Sequence, residues 1–109
     1  MGGVLSSNSS DEEVLAALQI PNRLVLDCRS AGEFSGGDGF DGAQNIPVDS
    51  LEARVAEVGD EDRTVITYCA AGVRAARAAG ILSSAGFRNV FSTTNAQHLR
   101  EIARRIPKA

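Results

Sequence analysis

Thr64-Val65-Ile66-Thr67-Tyr68-Cys69-Ala70-Ala71-Gly72-Val73-Arg74 changes character twice before it runs into the alanine-rich stretch Ala75 to Ala85. Its first five residues are β-branched or aromatic, the make-up of a buried strand. The run from Ala75 is rich in helix formers. Between them lies a tight loop with one cysteine and one glycine. Strand, loop and helix in that order predict an α/β unit with Cys69 held over the start of the helix. The first amides of a helix have no internal partners and carry the positive end of its dipole. They therefore stabilise a thiolate, an anionic substrate or a charged sulfur adduct. Arg74 and Arg77 add fixed positive charge at the loop exit and one turn into the helix. Ala70, Ala71, Gly72 and Val73 bring no acid, base or metal ligand. What they offer a ligand is backbone amides, with Gly72 supplying conformational freedom.

On the N-terminal side of this unit, Ser10-Asp11-Glu12-Glu13 has the spacing of a capping box and predicts a helix through about Leu18. Pro21-Asn22 ends it, and Leu24-Val25-Leu26-Asp27-Cys28 reads as a buried strand. Gly36 to Gly42 is a loop, followed by a short strand near Gln44 to Ile46. Asp49 or Ser50 is expected to cap a helix from Leu51 to Val58, with Leu51, Val55 and Val58 on one face. On the C-terminal side, Gly86 stops the alanine-rich helix and Asn89 to Ser92 forms a last short strand. Thr93 or Thr94 then leads into a helix from Ala96 to about Ile106. Strands alternating with helices predict a parallel sheet covered on both faces. Right-handed crossovers place the strand ends along one edge, where α/β ligand crevices lie. Cys69 and the segment Asp27 to Arg29 both end their strands there, so two candidate reactive segments converge.

At 109 residues the chain is expected to be one small domain, 10–109, behind a flexible leader, 1–9. A net charge of −3 with no dominant basic stripe argues against a nucleic-acid partner. No apolar stretch is long enough to span a bilayer, and no secretory signal is expected. Met1-Gly2-Gly3-Val4-Leu5-Ser6 fits the myristoylation pattern at Gly2, a weak anchor with no polybasic patch or neighbouring cysteine to support it. Two cysteines in a chain that needs no disulfide point to a reducing, cytoplasmic setting and to thiol chemistry. One histidine, His98, and two separated cysteines do not make a zinc site. No metal and no other cofactor is expected, and His98 is expected on the solvent side of the last helix.

Four blocks of this sequence resemble the rhodanese (sulfurtransferase) family, single-domain type. They are Leu24 to Arg29 with Glu33-Phe34, Gly42 to Pro47, Val65 to Arg74, and Leu82 to Val90 with Ala85-Gly86-Phe87. The resemblance implies a parallel sheet of about five strands and a persulfide-forming cysteine, here Cys69. It also implies that the loop from Cys69 through Ala70, Ala71, Gly72 and Val73 to Arg74 binds the sulfur donor through its amides. The implied partners are a small sulfur donor, thiosulfate first, and a thiol or cyanide acceptor; the implied state is a monomer. Cys28 stands where family members usually carry valine, and Gly39-Phe40-Asp41 replaces a His-Ile-Pro. The fourth block leads into Thr93-Thr94-Asn95-Ala96, and the chain has no tryptophan.

Asp27 and Arg29 read as site support, holding loops by hydrogen bonds and ion pairs, with Glu33 as a partner for Arg29. Cys28 reads as a small core residue; alternation along its strand would turn it away from the pocket. The sharper reading of Cys28 is a thiol that resolves a persulfide or sulfenate on Cys69. Two other functions compete with sulfur transfer. A Cys-loop-Arg at a helix start also suits a phosphate ester, with Asp38 or Asp41 as acid; the third reading is a non-catalytic interaction module. The spacer between Cys69 and Arg74 is four residues, shorter than the five of Cys-Arg phosphatases, which favours a single sulfur atom in the ring.

Overall fold

The structure, a computed structural model, describes residues 8–108. Helix α1 (Asp11–Leu18) opens with the expected capping box: Ser10 Oγ accepts from the Glu13 amide, and the Glu13 carboxylate accepts from the Ser10 amide. Strand β1 (Leu24–Asp27) follows, then helix α2 (Ala31–Ser35), which carries a second capping box, Ser30 with Glu33. Strand β2 (Gln44–Asn45), helix α3 (Val48–Leu51) and a 3-10 segment, Glu52–Val58, lead to strand β3 (Thr64–Cys69). Helix α4 (Val73–Ser84), strand β4 (Asn89–Asn95) and helix α5 (Ala96–Ala103) complete the described chain.

All strand pairs are parallel, in the order β2-β1-β3-β4. Both faces of the sheet are covered, so every residue of β1 and β3 is buried. Alternation divides those residues between two cores. Leu24, Leu26, Cys28 and Val65 pack with Ile46, Leu51, Val58, Leu82 and Phe87. Val25, Ile66 and Tyr68 pack with Val14, Leu18, Leu99 and Ile102 on the opposite face. Each fully buried Leu or Ile contributes roughly 1.5–3 kcal/mol. That scale explains why a chain this short needs no disulfide.

Among the described residues the sheet has four strands, where about five were expected. The outer edge of β4 is met by Ser9 instead of a strand. The Ser9 amide donates to the Ser92 carbonyl at 2.9 Å, but the Ser92 amide donates to Ser9 Oγ, and the chain then turns at once into the capping box. One backbone bond and one side-chain bond do not make a ladder. Ser9, read as leader in the sequence, therefore already lies on the domain, as does Asn8 beside Gly72. The remainder of the leader, with Gly2, lies outside the described residues.

Three local expectations change. The helix expected from Leu51 starts at Val48 behind Pro47, with no side-chain cap, and loosens to 3-10 geometry from Glu52. Asp49 does not cap it; its carboxylate pairs with Arg77 at 3.0 Å. Helix α5 is capped by Asn95, whose side chain accepts from the His98 amide at 2.8 Å, and β4 runs through both threonines to reach it. The stop at Gly86 is as expected. At φ 103° its amide bonds to the Ser83 carbonyl, while the Phe87 amide reaches Leu82.

Candidate active site

Cys69 ends β3, 2% exposed, and the chain reverses over Ala70 and Ala71 into α4. Gly72 sits at the helix cap with φ 99°, a conformation that costs a side-chain-bearing residue free energy. This bend points two amides inward. Gly72 N–H donates to Cys69 Sγ at 3.0 Å and Ala75 N–H donates at 3.3 Å. Thr67 ties the same strand to the helix, its Oγ1 donating to the Ala75 carbonyl at 2.8 Å. The sulfur is therefore fixed by its own loop, with donors on its helix side.

Asp27 and Arg29 form a buried hub at the end of the neighbouring strand. The Asp27 carboxylate, fully buried, accepts from the Arg29 amide at 2.9 Å, from Arg29 Nε at 3.1 Å and from Arg29 Nη2 at 2.7 Å. Tyr68 Oη also donates to it at 2.8 Å, and itself accepts from the Phe40 amide at 2.9 Å. Burial, then the Asp27 contact, push the Tyr68 hydroxyl up to about 12. Arg29 reaches on to Asp38 at 2.9 Å, which holds that carboxyl below its ordinary range. The hub thus ties β1, β3 and the glycine loop together under the rim. Tyr68 is a member that sequence reading missed; a tyrosine in a fully buried strand must find a partner for its hydroxyl, and that was the available signal.

Glu33 does not pair with Arg29. It bonds Arg74 twice, at 2.7 and 3.1 Å, because the α2 capping box aims its side chain across the loop. The Arg74 guanidinium is held above its usual value by Glu33 first and, more weakly, by Cys69, so it stands between the two. Its bond to Glu33, then the Ser30 amide, hold the Glu33 carboxyl down to about 2. Ala70, Ala71 and Val73 are exposed on the loop, Val73 strongly. Arg77 is exposed and engaged with Asp49, outside the loop.

A cavity of about 370 Å³ opens beside the sulfur, lined by Arg29, Asp38, Cys69, Ala70, Asn95 and Arg100, among others. Arg100, not singled out in the sequence, donates to the Asp38 and Gly39 carbonyls at 3.3 Å. A register shift between β3 and β4 places Asn95 across from Cys69 and so sets the far wall. The larger depression, about 480 Å³ beside Ile20, Asp60 and Arg63, lies at the opposite end of the strands and holds no nucleophile. His98 is half-buried rather than on the solvent side, its Nε2 at 2.8 Å from Asp11 and its Nδ1 at 3.7 Å from Glu101. Among the described residues no group of acidic, histidine and cysteine side chains is placed to hold a metal. No described helix is long and apolar enough to cross a membrane.

Cys28 is a core residue and is not among those lining the cavity. It packs with Leu24 and Leu26 on the sheet face that α4 covers, the face on which Cys69 meets the Ala75 amide. Burial first, and then the Cys69 charge, push the Cys28 thiol well above its ordinary value.

Comparison with known proteins places this geometry. The chain is 33% identical over 85 residues to a tRNA uridine(34) hydroxylase of Sodalis glossinidius (strain morsitans), covering 73% of this chain and 24% of that protein. The chain thus spans about a quarter of the length of the curated relatives it matches. Among solved structures, a rhodanese with anions from E. coli is 32% identical, with a TM-score of 0.56 over 68% of this chain and 84% of that one. The human single-domain sulfurtransferase TSTD1, at 24% identity, shares the fold with a TM-score of 0.64 over 95% and 98%. The family model for the rhodanese-like domain matches residues 10–95, which include every strand of the sheet and the whole cysteine loop, and the chain belongs to that family.

Proposed function

We propose that this domain is a sulfurtransferase that carries sulfane sulfur as a persulfide on Cys69, taking it from thiosulfate or a related donor. The observation that carries this reading is the pair of amides, Gly72 and Ala75, aimed at Cys69 Sγ. They favour negative charge on sulfur before and after loading. With thiosulfate, the thiolate attacks the outer sulfur, the S–S bond breaks, and sulfite leaves with the electron pair. A nucleophilic acceptor then attacks the outer sulfur of the persulfide and frees the Cys69 thiolate. No general base is needed, and the loop offers none. Ala70, Ala71, Gly72 and Val73 contribute backbone to the donor site, and Arg74 contributes charge. Arg29 and Arg100 add cationic character to the cavity, which suits an anionic donor. Asp27 and Arg29 act through the hub, as support. The two free thiols fit a reducing, cytoplasmic setting.

A phosphatase would need a protonated carboxylic acid near the leaving group. Asp38, the acid that lines the cavity, is held ionised by Arg29, which disfavours that reading. A second reading comes from identity alone: the chain matches a quarter of a tRNA uridine(34) hydroxylase, so it would serve as one part of a larger enzyme that hydroxylates a tRNA uridine. The paired assay is sulfur transfer from thiosulfate to cyanide beside hydrolysis of an aryl phosphate, for the natural chain and Cys69→Ser. Thiocyanate formed only by the natural chain, with no phosphate release, is expected. Phosphate release, or neither activity, would overturn the sulfurtransferase reading.

A further inference from the structure

We infer that Cys28 resolves the Cys69 persulfide, releasing its outer sulfur as hydrosulfide and leaving a Cys28–Cys69 disulfide. The inference rests on Cys69 being the sulfur carrier. Its own ground is the juxtaposition of the chain's two thiols. Asp27 pairs with Tyr68 in the β1–β3 register, and the Cys28 amide donates to the Tyr68 carbonyl at 2.9 Å. Cys28 therefore stands beside Cys69 on the adjacent strand. Neighbouring strands run about 4.8 Å apart, inside the roughly 4.4–6.8 Å Cα separation that a disulfide spans. Both side chains lie on the α4 face, and both are almost fully buried, at 1% and 2% exposure. An external acceptor comes from the cavity, whereas Cys28 stands on the neighbouring strand, on the buried side. Among the described residues the one polar contact of the Cys28 side chain is weak, Sγ to the Leu26 carbonyl at 3.7 Å.

The step balances without an added oxidant, because the sulfane sulfur is itself the oxidant. Cys28 Sγ attacks Cys69 Sγ, and a bond forms between them. The bond from Cys69 Sγ to the outer sulfur breaks, and its electron pair leaves on that sulfur. The Cys28 proton goes with it, so hydrosulfide departs with the single negative charge the persulfide carried. The outer sulfur is reduced, and two cysteine sulfurs are oxidised to a disulfide. A dithiol reductant then returns both cysteines to thiols. Burial first, and then negative charge on Cys69, push the Cys28 thiol up. Loading moves the negative charge outward to the terminal sulfur and so relieves the second of these, while burial is unchanged. A loaded sulfur thus has two fates: capture by an acceptor, or release as hydrosulfide when no acceptor arrives.

The test loads the protein with thiosulfate, removes excess donor and follows intact mass and free hydrosulfide without reductant. The natural chain should gain one sulfur, then lose it with two hydrogens as hydrosulfide appears, and yield a peptide cross-linked between Cys28 and Cys69. Dithiothreitol should restore the starting mass. Cys28→Val and Cys28→Ser should load equally but release hydrosulfide at least about tenfold more slowly. A natural chain whose persulfide is stable, or which releases hydrosulfide with no cross-link, overturns the resolving role and leaves the carrier reading standing. The cross-link is read on the natural chain, so it decides even if neither variant folds. Failure to load any sulfur overturns both readings.

Discussion

Replacing Asp27 by asparagine keeps shape and removes one charge, which isolates what the buried hub contributes. In the natural chain the carboxylate receives the Arg29 amide, two guanidinium nitrogens and the Tyr68 hydroxyl, all within 3.1 Å. In Asp27→Asn one oxygen becomes an NH₂ whose protons face Arg29 Nη2 and the Tyr68 hydroxyl, both donors. Arg29, only 7% exposed, keeps Asp38 as its one carboxylate. Breaking a buried pair by removing one partner costs about 3–5 kcal/mol, because an uncompensated charge stays inside. The surviving Asp38 contact puts this case near the lower end, about 3 kcal/mol, a large part of the roughly 5–15 kcal/mol that holds such a domain. The fall in Tm should be about 12–24 °C, at roughly 4–8 °C per kcal/mol for a chain of this size. Urea unfolding should show the midpoint falling with an unchanged m-value. Adding Arg29→Met to Asp27→Asn should cost less than the sum of the two single changes, since it removes the stranded charge. A loss below about 1 kcal/mol would refute the claim that the hub holds the rim together. A variant of full stability that no longer loads sulfur would show instead that Asp27 takes part in the chemistry.

Four other changes read different parts of the same architecture. Tyr68 is pushed up to about 12 from its ordinary value near 10 by burial and then by Asp27, so its contribution is whole below about pH 10 and is lost as pH rises through about 12; Tyr68→Phe should flatten the stability curve across that window, and an unchanged alkaline slope would count against it. Arg74→Ala should lower kcat/KM for thiosulfate about ten- to a hundredfold, from the loss of a charge-assisted hydrogen bond of roughly 1.5–3 kcal/mol, with normal kinetics removing Arg74 from the site. The pair that holds Arg74 is complete above the ordinary Glu value, about 4.5, and fails only as pH falls through about 2, so Glu33→Gln, and not mild acid, should loosen the arginine and raise KM. At Gly72, φ is +99° and a Cβ would lie 2.5 Å from Asn8 Nδ2, so Gly72→Ala should slow sulfur loading by turning the amide off the sulfur; unaltered loading would show that this amide does not matter.

Most of the fold was legible because its signals are local. The capping box at Ser10, the β-branched run before Cys69 and the glycine after Ala85 each act through neighbours in sequence, and the structure realises them close to where they were read. The helix expected at Leu51 began earlier because Pro47 cannot continue a strand ladder but suits the entry to a helix, and no side-chain cap was required. That the described residues form four strands is a question of edge pairing, which depends on whether a segment finds two backbone partners or one. Ser9 finds one.

The site divided along the same line. Cys69 and its loop were legible because the amides that meet the sulfur lie within six residues of it in sequence, Gly72 and Ala75 being the donors. The partners of the charged residues were not. Arg29 had Asp27, Glu33 and Asp38 within reach along the chain, and only the direction in which the α2 capping box throws Glu33 assigns that residue to Arg74. Cys28 is the sharper case, since its direction hangs on the register between two strands distant in sequence. Parity along β1 puts it with Leu24 and Leu26, parity along β3 puts Cys69 with Val65, and only the pairing of Asp27 with Tyr68 makes those two faces one. A slip of one residue between the strands would have set the thiols on opposite faces. The redox coupling inferred for them therefore belongs to the tertiary register, and any change that shifts β1 against β3 should uncouple the cysteines while leaving the Cys69 loop intact.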